Sequence, residues 1–129
     1  MAYPLVHVDT SRIVEGALDD VRTHIDELVA FIDANVPKAI TYAIFLDEPG
    51  ELMSVFQIQP DAAAMEYHME VGGPAFRKFV GLIELQSIDL YGEPSPKLIS
   101  MLHAKAEMLG NARVSVHSLR AGFARFGAP

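Results

Sequence analysis

A chain of 129 residues with a formal charge of −7 and no cysteine is long enough for one domain with its own core. It excludes disulfides, thiolate metal sites and a cysteine nucleophile. Its lysines and arginines are scattered singly instead of forming the basic stripe that nucleic acid requires. Its longest apolar runs, such as Ala43 to Leu46, are far too short for a bilayer. Met1-Ala2-Tyr3-Pro4-Leu5 has no basic n-region, so the expectation is a cytoplasmic protein with neither nucleic-acid nor membrane partners.

Leu5 to Asp9 is short, β-branched and bounded by polar residues, which predicts a first strand, with Thr10-Ser11-Arg12 as a loop. From Glu15 the period changes. Leu18, Val21, Ile25, Leu28, Val29 and Ile32 recur at three- and four-residue spacing, predicting an amphipathic helix that ends near Asn35 and Pro37. Ile40–Asp47 and Leu52–Gln59 read as strands. Glu48-Pro49-Gly50-Glu51 joins them into a hairpin, with Pro-Gly suited to the centre of a type II turn.

Asp61 is a side-chain N-cap for a second helix over Ala62–Met69. Val71-Gly72-Gly73-Pro74 is expected to interrupt it, and Ala75–Leu82 to resume it. Glu84–Tyr91 is a fourth strand. Ser95 and Pro96 supply the N-cap and first residue of a third helix, whose face is Leu98, Met101, Leu102, Lys105, Met108 and Leu109. Gly110-Asn111 closes it. Arg113–Leu119 is a fifth strand, and Phe123 and Phe126 are expected to pack, since aromatic side chains carry a large apolar payload.

The order is β-α-β-β-α-β followed by α-β. Residues 5–91 form a ferredoxin-like α+β core, an antiparallel sheet with helices on one face. Residues 94–129 add a helix-strand extension within the same single domain. In the second strand Ile40, Tyr42, Ile44 and Leu46 point one way, and Ala43 and Phe45 the other. In the third, Leu52, Phe56 and Ile58 oppose Met53 and Val55. A sheet that is apolar on both faces needs a second cover. The simplest closed solution is a homodimer with sheets packed face to face. The alternative is that the third helix folds over the open face of its own chain.

Tyr67-His68-Met69-Glu70-Val71-Gly72-Gly73-Pro74-Ala75-Phe76-Arg77-Lys78-Phe79 resembles the second-helix signature of the antibiotic biosynthesis monooxygenase-like proteins. There a His is followed by a small-residue and Pro break and then a Phe. The resemblance covers about Leu5 to Tyr91. It implies a dimeric α+β barrel with a pocket between sheet and helices. It also implies cofactor-free oxygenation of quinols or polyketide-derived phenols in some members, haem degradation in others, and no known activity in many. The haem-degrading pattern pairs an early Trp with an axial His about ten residues later. This chain has no Trp and no His between Met69 and Met101. No cofactor is therefore expected, and the ligand is a small apolar or aromatic molecule.

His68 is the candidate catalytic residue, either as general acid/base or as the group that holds a phenolate. Its plain alternative is a histidine satisfied at a helix–sheet or subunit junction. His7, on the strand face of Leu5 and Asp9, is a candidate pocket residue or a half-exposed strand residue. Tyr42 offers a phenol to orient a ligand carbonyl, or a structural core phenol. Phe56, Phe76 and Phe79 complete the expected ligand-binding set. No metal site is expected, because no two histidines stand at i,i+3 or i,i+4 and H-x-H and H-E-x-x-H are absent. A non-catalytic dimer that binds a small ligand, or a structural partner, is the competing functional class.

Overall fold

The computed structural model describes residues 3–126. Its strands are β1 (Leu5–Ile13), β2 (Thr41–Leu46), β3 (Leu52–Gln59), β4 (Ile83–Tyr91) and β5 (Arg113–His117). Its helices are α1 (Leu18–Asn35), α2 (Ala62–Phe76) and α3 (Pro96–Met108), with a 3-10 turn at Arg77–Phe79 after α2. The strands form one sheet in the order β2-β3-β1-β4-β5. All pairings are antiparallel except β4 with β5, which is parallel. The first four strands carry the ferredoxin-like order, and β5 is laid on its β4 edge by the crossover through α3.

Alternation sorts the sheet into two faces. Leu5, His7, Asp9, Ser11 and Ile13 of β1 are buried, and Val6, Val8 and Thr10 between them are half-buried. Gln57 pairs with His7 and Val55 with Asp9, so Met53, Val55, Gln57 and Gln59 share that inner face. Val21, Leu28 and Ile32 of α1, Met65 of α2, and Leu98 and Leu102 of α3 join inner-face residues in one core cluster. Each such fully buried side chain contributes roughly 1.5–3 kcal/mol. α3 therefore lies on the same side as α1 and α2, not over the open face. No helix is long and apolar enough to cross a membrane.

The opposite face keeps Val6, Val8, Phe56 and Ala43 half-buried and Phe45 59% exposed. Among the described residues no helix covers it.

Several boundaries differ from expectation, each for a local reason. β1 runs on through Thr10-Ser11-Arg12, because Ser11 keeps its place on the inner face and Arg12 points out to an ion pair with Glu84 at 2.5 Å. A bulge at the β1–β4 pairing between Thr10 and Ser11 absorbs the irregularity. Gly50 donates to the Asp47 carbonyl at 3.0 Å, so Glu48-Pro49 holds the turn centre and Gly50 follows it at φ +73°. The Asp47 carboxylate closes the loop by accepting from the amides of Glu51 and Leu52, each at 2.8 Å.

α2 is not interrupted. It continues through Gly72-Gly73-Pro74 to Phe76, starting from the Asp61 cap, whose carboxylate accepts from the Ala64 amide at 2.8 Å. Gly73 eases this passage, since part of the clash that keeps the residue before a proline out of the helical region comes from its Cβ. Gly72 favours close packing of α2 on α1: a Cβ there would stand 3.0 Å from Ile32 Cδ1, which would have to shift. The caps of α3 are as expected, with Ser95 Oγ accepting from the Leu98 amide at 3.0 Å and Pro96 opening the helix. β5 ends at His117. Phe123 and Phe126 beyond it are not packed but 71% and 51% exposed.

Candidate functional site

The inner face carries an unusual polar load for a core. His7, Asp9, Ser11, Gln57, Gln59 and His68 are all buried, and buried polar groups must find partners or cost stability. Asp9 Oδ2 accepts from Lys105 Nζ of α3 at 2.8 Å. His7 Nε2 lies 3.4 Å from the same oxygen. Gln57 Nε2 stands 2.8 Å from His7 Nδ1 and 3.3 Å from His68 Nε2. Gln59 Nε2 donates to Gln57 Oε1 at 3.0 Å. The result is one polar row, Lys105–Asp9–His7–Gln57–His68, drawn from α3, β1, β3 and α2, in which His7 meets Asp9 through a 3.4 Å electrostatic contact and not a hydrogen bond.

A pocket of about 470 Å³ opens beside the His68 and Lys105 ends of this row. α1 contributes Leu28 and Ile32, β2 contributes Tyr42, α2 contributes His68, Met69, Gly72, Gly73, Pro74 and Phe76, and α3 contributes Met101, Ala104, Lys105 and Met108. The floor is polar, the exposed Arg77 of the 3-10 turn adds a guanidinium to the lining, and the remaining walls are apolar, the common build of a small-molecule site. The Tyr42 and His68 rings are 5.3 Å apart between centroids. Lys105 Nζ sits 4.1 Å from the centre of the Phe76 ring, a cation–π contact.

Electrostatics follow from burial. Desolvation, then the nearby charge of Lys105 and the neighbouring His7, push His68 down to about 3. Burial, with Lys105 second, holds His7 well below its ordinary value. Both imidazoles are thus neutral at physiological pH. Burial, aided by the Asp9 charge, raises Tyr42 far above the usual phenol range, so its phenol stays protonated.

His68, Tyr42 and Phe76 are brought together around the pocket. His7 sits fully buried behind it, bonded to Gln57, and is neither half-exposed nor a pocket-lining residue. Phe79 is 1% exposed and backs Phe76 from the core, with ring centroids 5.2 Å apart, so it supports the wall without lining it. Phe56 belongs to the other face of the sheet. It lines a separate cleft with Val6, Val8, Tyr91 and Leu119, so the strand's alternation removes it from the His68 site.

Sequence reasoning did not select Asp9, Gln57, Gln59 and Lys105 for the site. Their signal is one of parity: Asp9, Gln57 and Gln59 occupy inward positions of apolar strands, and Lys105 sits inside the apolar stripe of a helix. Among the described residues no group of three or more His, Asp or Glu is placed to hold a metal ion.

No protein-family model matches the chain, and no curated protein matches it in sequence. Solved structures do match in shape. MupZ from Pseudomonas fluorescens superposes with a TM-score of 0.71 at 11% identity, over 95% of this chain and 94% of that one. A provisionally named antibiotic biosynthesis monooxygenase from Deinococcus radiodurans gives 0.56 at 16% identity, over 70% of this chain and 93% of that one. The chain has the antibiotic biosynthesis monooxygenase-like fold. PA3566 from Pseudomonas aeruginosa matches with 0.58 at 22% identity, over 70% of this chain and 91% of that one. At these identities the likeness is one of fold. The 95% overlap with MupZ takes in most of the helix and strand after Pro94, so the extension on this fold is not peculiar to the chain.

Proposed function

We propose that the chain is a cofactor-independent monooxygenase-like enzyme acting on a small aromatic substrate of the quinol or polyketide type. The observation that carries this reading is a pocket of about 470 Å³ with largely apolar walls, Arg77 in its lining and a floor made of His68, Tyr42 and Lys105. Such chemistry asks little covalent work of the protein. An activated methylene gives its proton to solvent at the pocket mouth, leaving a carbanion conjugated with an aromatic oxygen. The carbanion passes one electron to dioxygen, and the resulting radical and superoxide combine as a peroxide. After protonation, loss of water leaves a carbonyl, so one methylene and one dioxygen become one carbonyl and one water. The protein must stabilise the anion and limit water at the reacting carbon. Lys105 supplies positive charge, and His68 touches the substrate's oxygen.

Oxygen consumption with an anthrone, and no added cofactor, tests the reading. Protein-dependent uptake is expected, falling about 100-fold in His68→Ala, the scale of losing one positioned catalytic group. Unchanged turnover in that variant would remove His68 from the reaction. Thermal stabilisation by aromatic ligands without any uptake would identify a non-catalytic ligand-binding protein instead. Neither uptake nor stabilisation would sink both.

The same reading places a second copy of the chain over the outer sheet face. That face is apolar across β1, β2 and β3 and carries Phe45 and Phe56, and a two-fold pair buries it by using one patch twice. Light scattering is expected to give about 28 kDa, twice the 14.1 kDa chain. Combining Phe45→Glu with Phe56→Glu should return the mass of one chain, because a like charge would then face its own copy across the two-fold. A 14.1 kDa species for the unmodified protein at micromolar concentration would end this proposal.

A further inference from the structure

The buried chain behind the pocket has one arrangement of protons that satisfies it. Asp9 is fully buried and holds the Lys105 ammonium through Oδ2, so it is a carboxylate. His7 Nε2 lies 3.4 Å from that oxygen. A ring lone pair aimed at a carboxylate away from water would be repelled, so Nε2 carries the hydrogen. A neutral imidazole has only one N–H, so His7 Nδ1 is an acceptor and takes the Gln57 amide at 2.8 Å. Gln59 fixes that amide from the other side by donating to Gln57 Oε1. The second hydrogen of Gln57 Nε2 is then directed to His68 Nε2 at 3.3 Å. His68 Nε2 must accept, and the ring proton of His68 resides on Nδ1. Reversing both glutamines would put a His7 lone pair against Asp9, so the carboxylate selects the direction of the whole chain.

Two details converge on a ligand. His68 Nδ1, like His7 Nε2, is buried and has no hydrogen-bond partner in the protein, but only His68 lines the pocket, and an unsatisfied buried donor is costly until something accepts from it. Lys105 lines the same pocket. We infer that Asp9, acting through His7 and Gln57, holds the His68 proton on Nδ1, and that His68 Nδ1–H and the Lys105 ammonium form a site for an oxyanion on an aromatic ring, a phenolate or enolate. This deepens the proposed function and rests on its pocket, and of the two roles open to His68 it assigns that of donor. The lone pair a general base would use is taken by Gln57. Asp9, His7 and Gln57 are positioning residues that act through His68. The low proton affinity of His68, caused first by burial and then by Lys105 and His7 and opposed by Asp9, keeps the ring neutral so that a single N–H is shared in this way.

The tautomer can be read without any substrate. Long-range proton–nitrogen correlation of the ring nitrogens in the nitrogen-15-labelled protein is expected to show His68 protonated on Nδ1 and His7 on Nε2. Gln57→Glu offers both rings an acceptor and should move the His68 proton to Nε2. Gln57→Leu removes the constraint and serves as a second variant if the first does not fold. A His68 ring protonated on Nε2 in the unmodified protein would overturn the inference, whatever reaction the enzyme performs.

The oxyanion half is read with para-nitrophenol as the probe, at a pH below its own pKa. The yellow phenolate is expected to appear on binding, with its apparent pKa lowered by at least about one unit, a tenfold preference for the ionised form. Lys105→Met should weaken that preference. Binding as the neutral phenol, or no binding at millimolar concentration, would overturn the oxyanion assignment. Because neither experiment needs turnover, failure of the oxygenase reading and failure of this inference give different results.

Discussion

Acidification from about pH 7 to about pH 4.5 is expected to cost the fold about 3 kcal/mol through His68 alone. The sign follows from linkage. In the unfolded chain the imidazole binds its proton as the pH falls through its ordinary value of 6.5, whereas in the folded chain it waits until about 3. Between those values the unfolded state holds the extra proton, so each unit of acidification favours unfolding by about 1.4 kcal/mol. The contribution is fully present above 6.5 and is lost progressively down to about 3. His7 is lowered for the same first reason, burial, and adds to the slope in the same direction. Urea unfolding midpoints at several pH values in this window measure it. In His68→Gln the absolute stability changes with packing, but the slope should flatten by the share of one histidine. Equal slopes in the two proteins would mean that His68 is hydrated enough to titrate normally, and the dry polar floor of the pocket would no longer hold.

The fold was largely legible because its signals are local and redundant. The hairpin from β2 to β3, the Asp61 and Ser95 caps and the alternation of β2 and β3 each follow from spacing and residue type within a few positions. Local signals misled where tertiary packing outweighed them. Thr10-Ser11-Arg12 has loop composition, but pairing on both sides by β3 and β4 holds it as strand. Gly72-Gly73-Pro74 reads as a break, yet Gly72 lets α2 press against Ile32 and the helix runs on. Phe56 shows a different limit. Alternation divides a strand into two faces without saying which one the helices will cover. The polar chain was the least visible part, since Asp9, Gln57 and Lys105 lie 48 positions apart in sequence at each step and meet only when β1, β3 and α3 are stacked. Each nevertheless breaks an apolar pattern at a position that must face inward, and an inward polar residue asks for a partner.

Lys105→Met is expected to destabilise the protein by about 3–5 kcal/mol, the cost of leaving one charge of a buried pair without its partner. Methionine has nearly the length of the lysine stem, so packing against Phe76 and Met101 changes little. What is lost is the ammonium, with its 2.8 Å bond to Asp9 and its place over the Phe76 ring. Asp9 is wholly buried, its Oδ1 has no partner in the protein, and Oδ2 would keep only the long contact to His7. Adding Asp9→Asn to Lys105→Met removes the stranded charge, so the double variant should regain about 2–3 kcal/mol relative to the sum of the two single changes. Urea denaturation of the four proteins at one pH above 7 gives that coupling directly. Additive costs would mean that water reaches the pair and does most of its solvation. A large coupling means that the ion pair ties α3 to β1 across the floor of the pocket. The helix that supplies Met101 and Met108 to one wall is then held in place by the same two charges that orient His68 and wait for an anionic ligand.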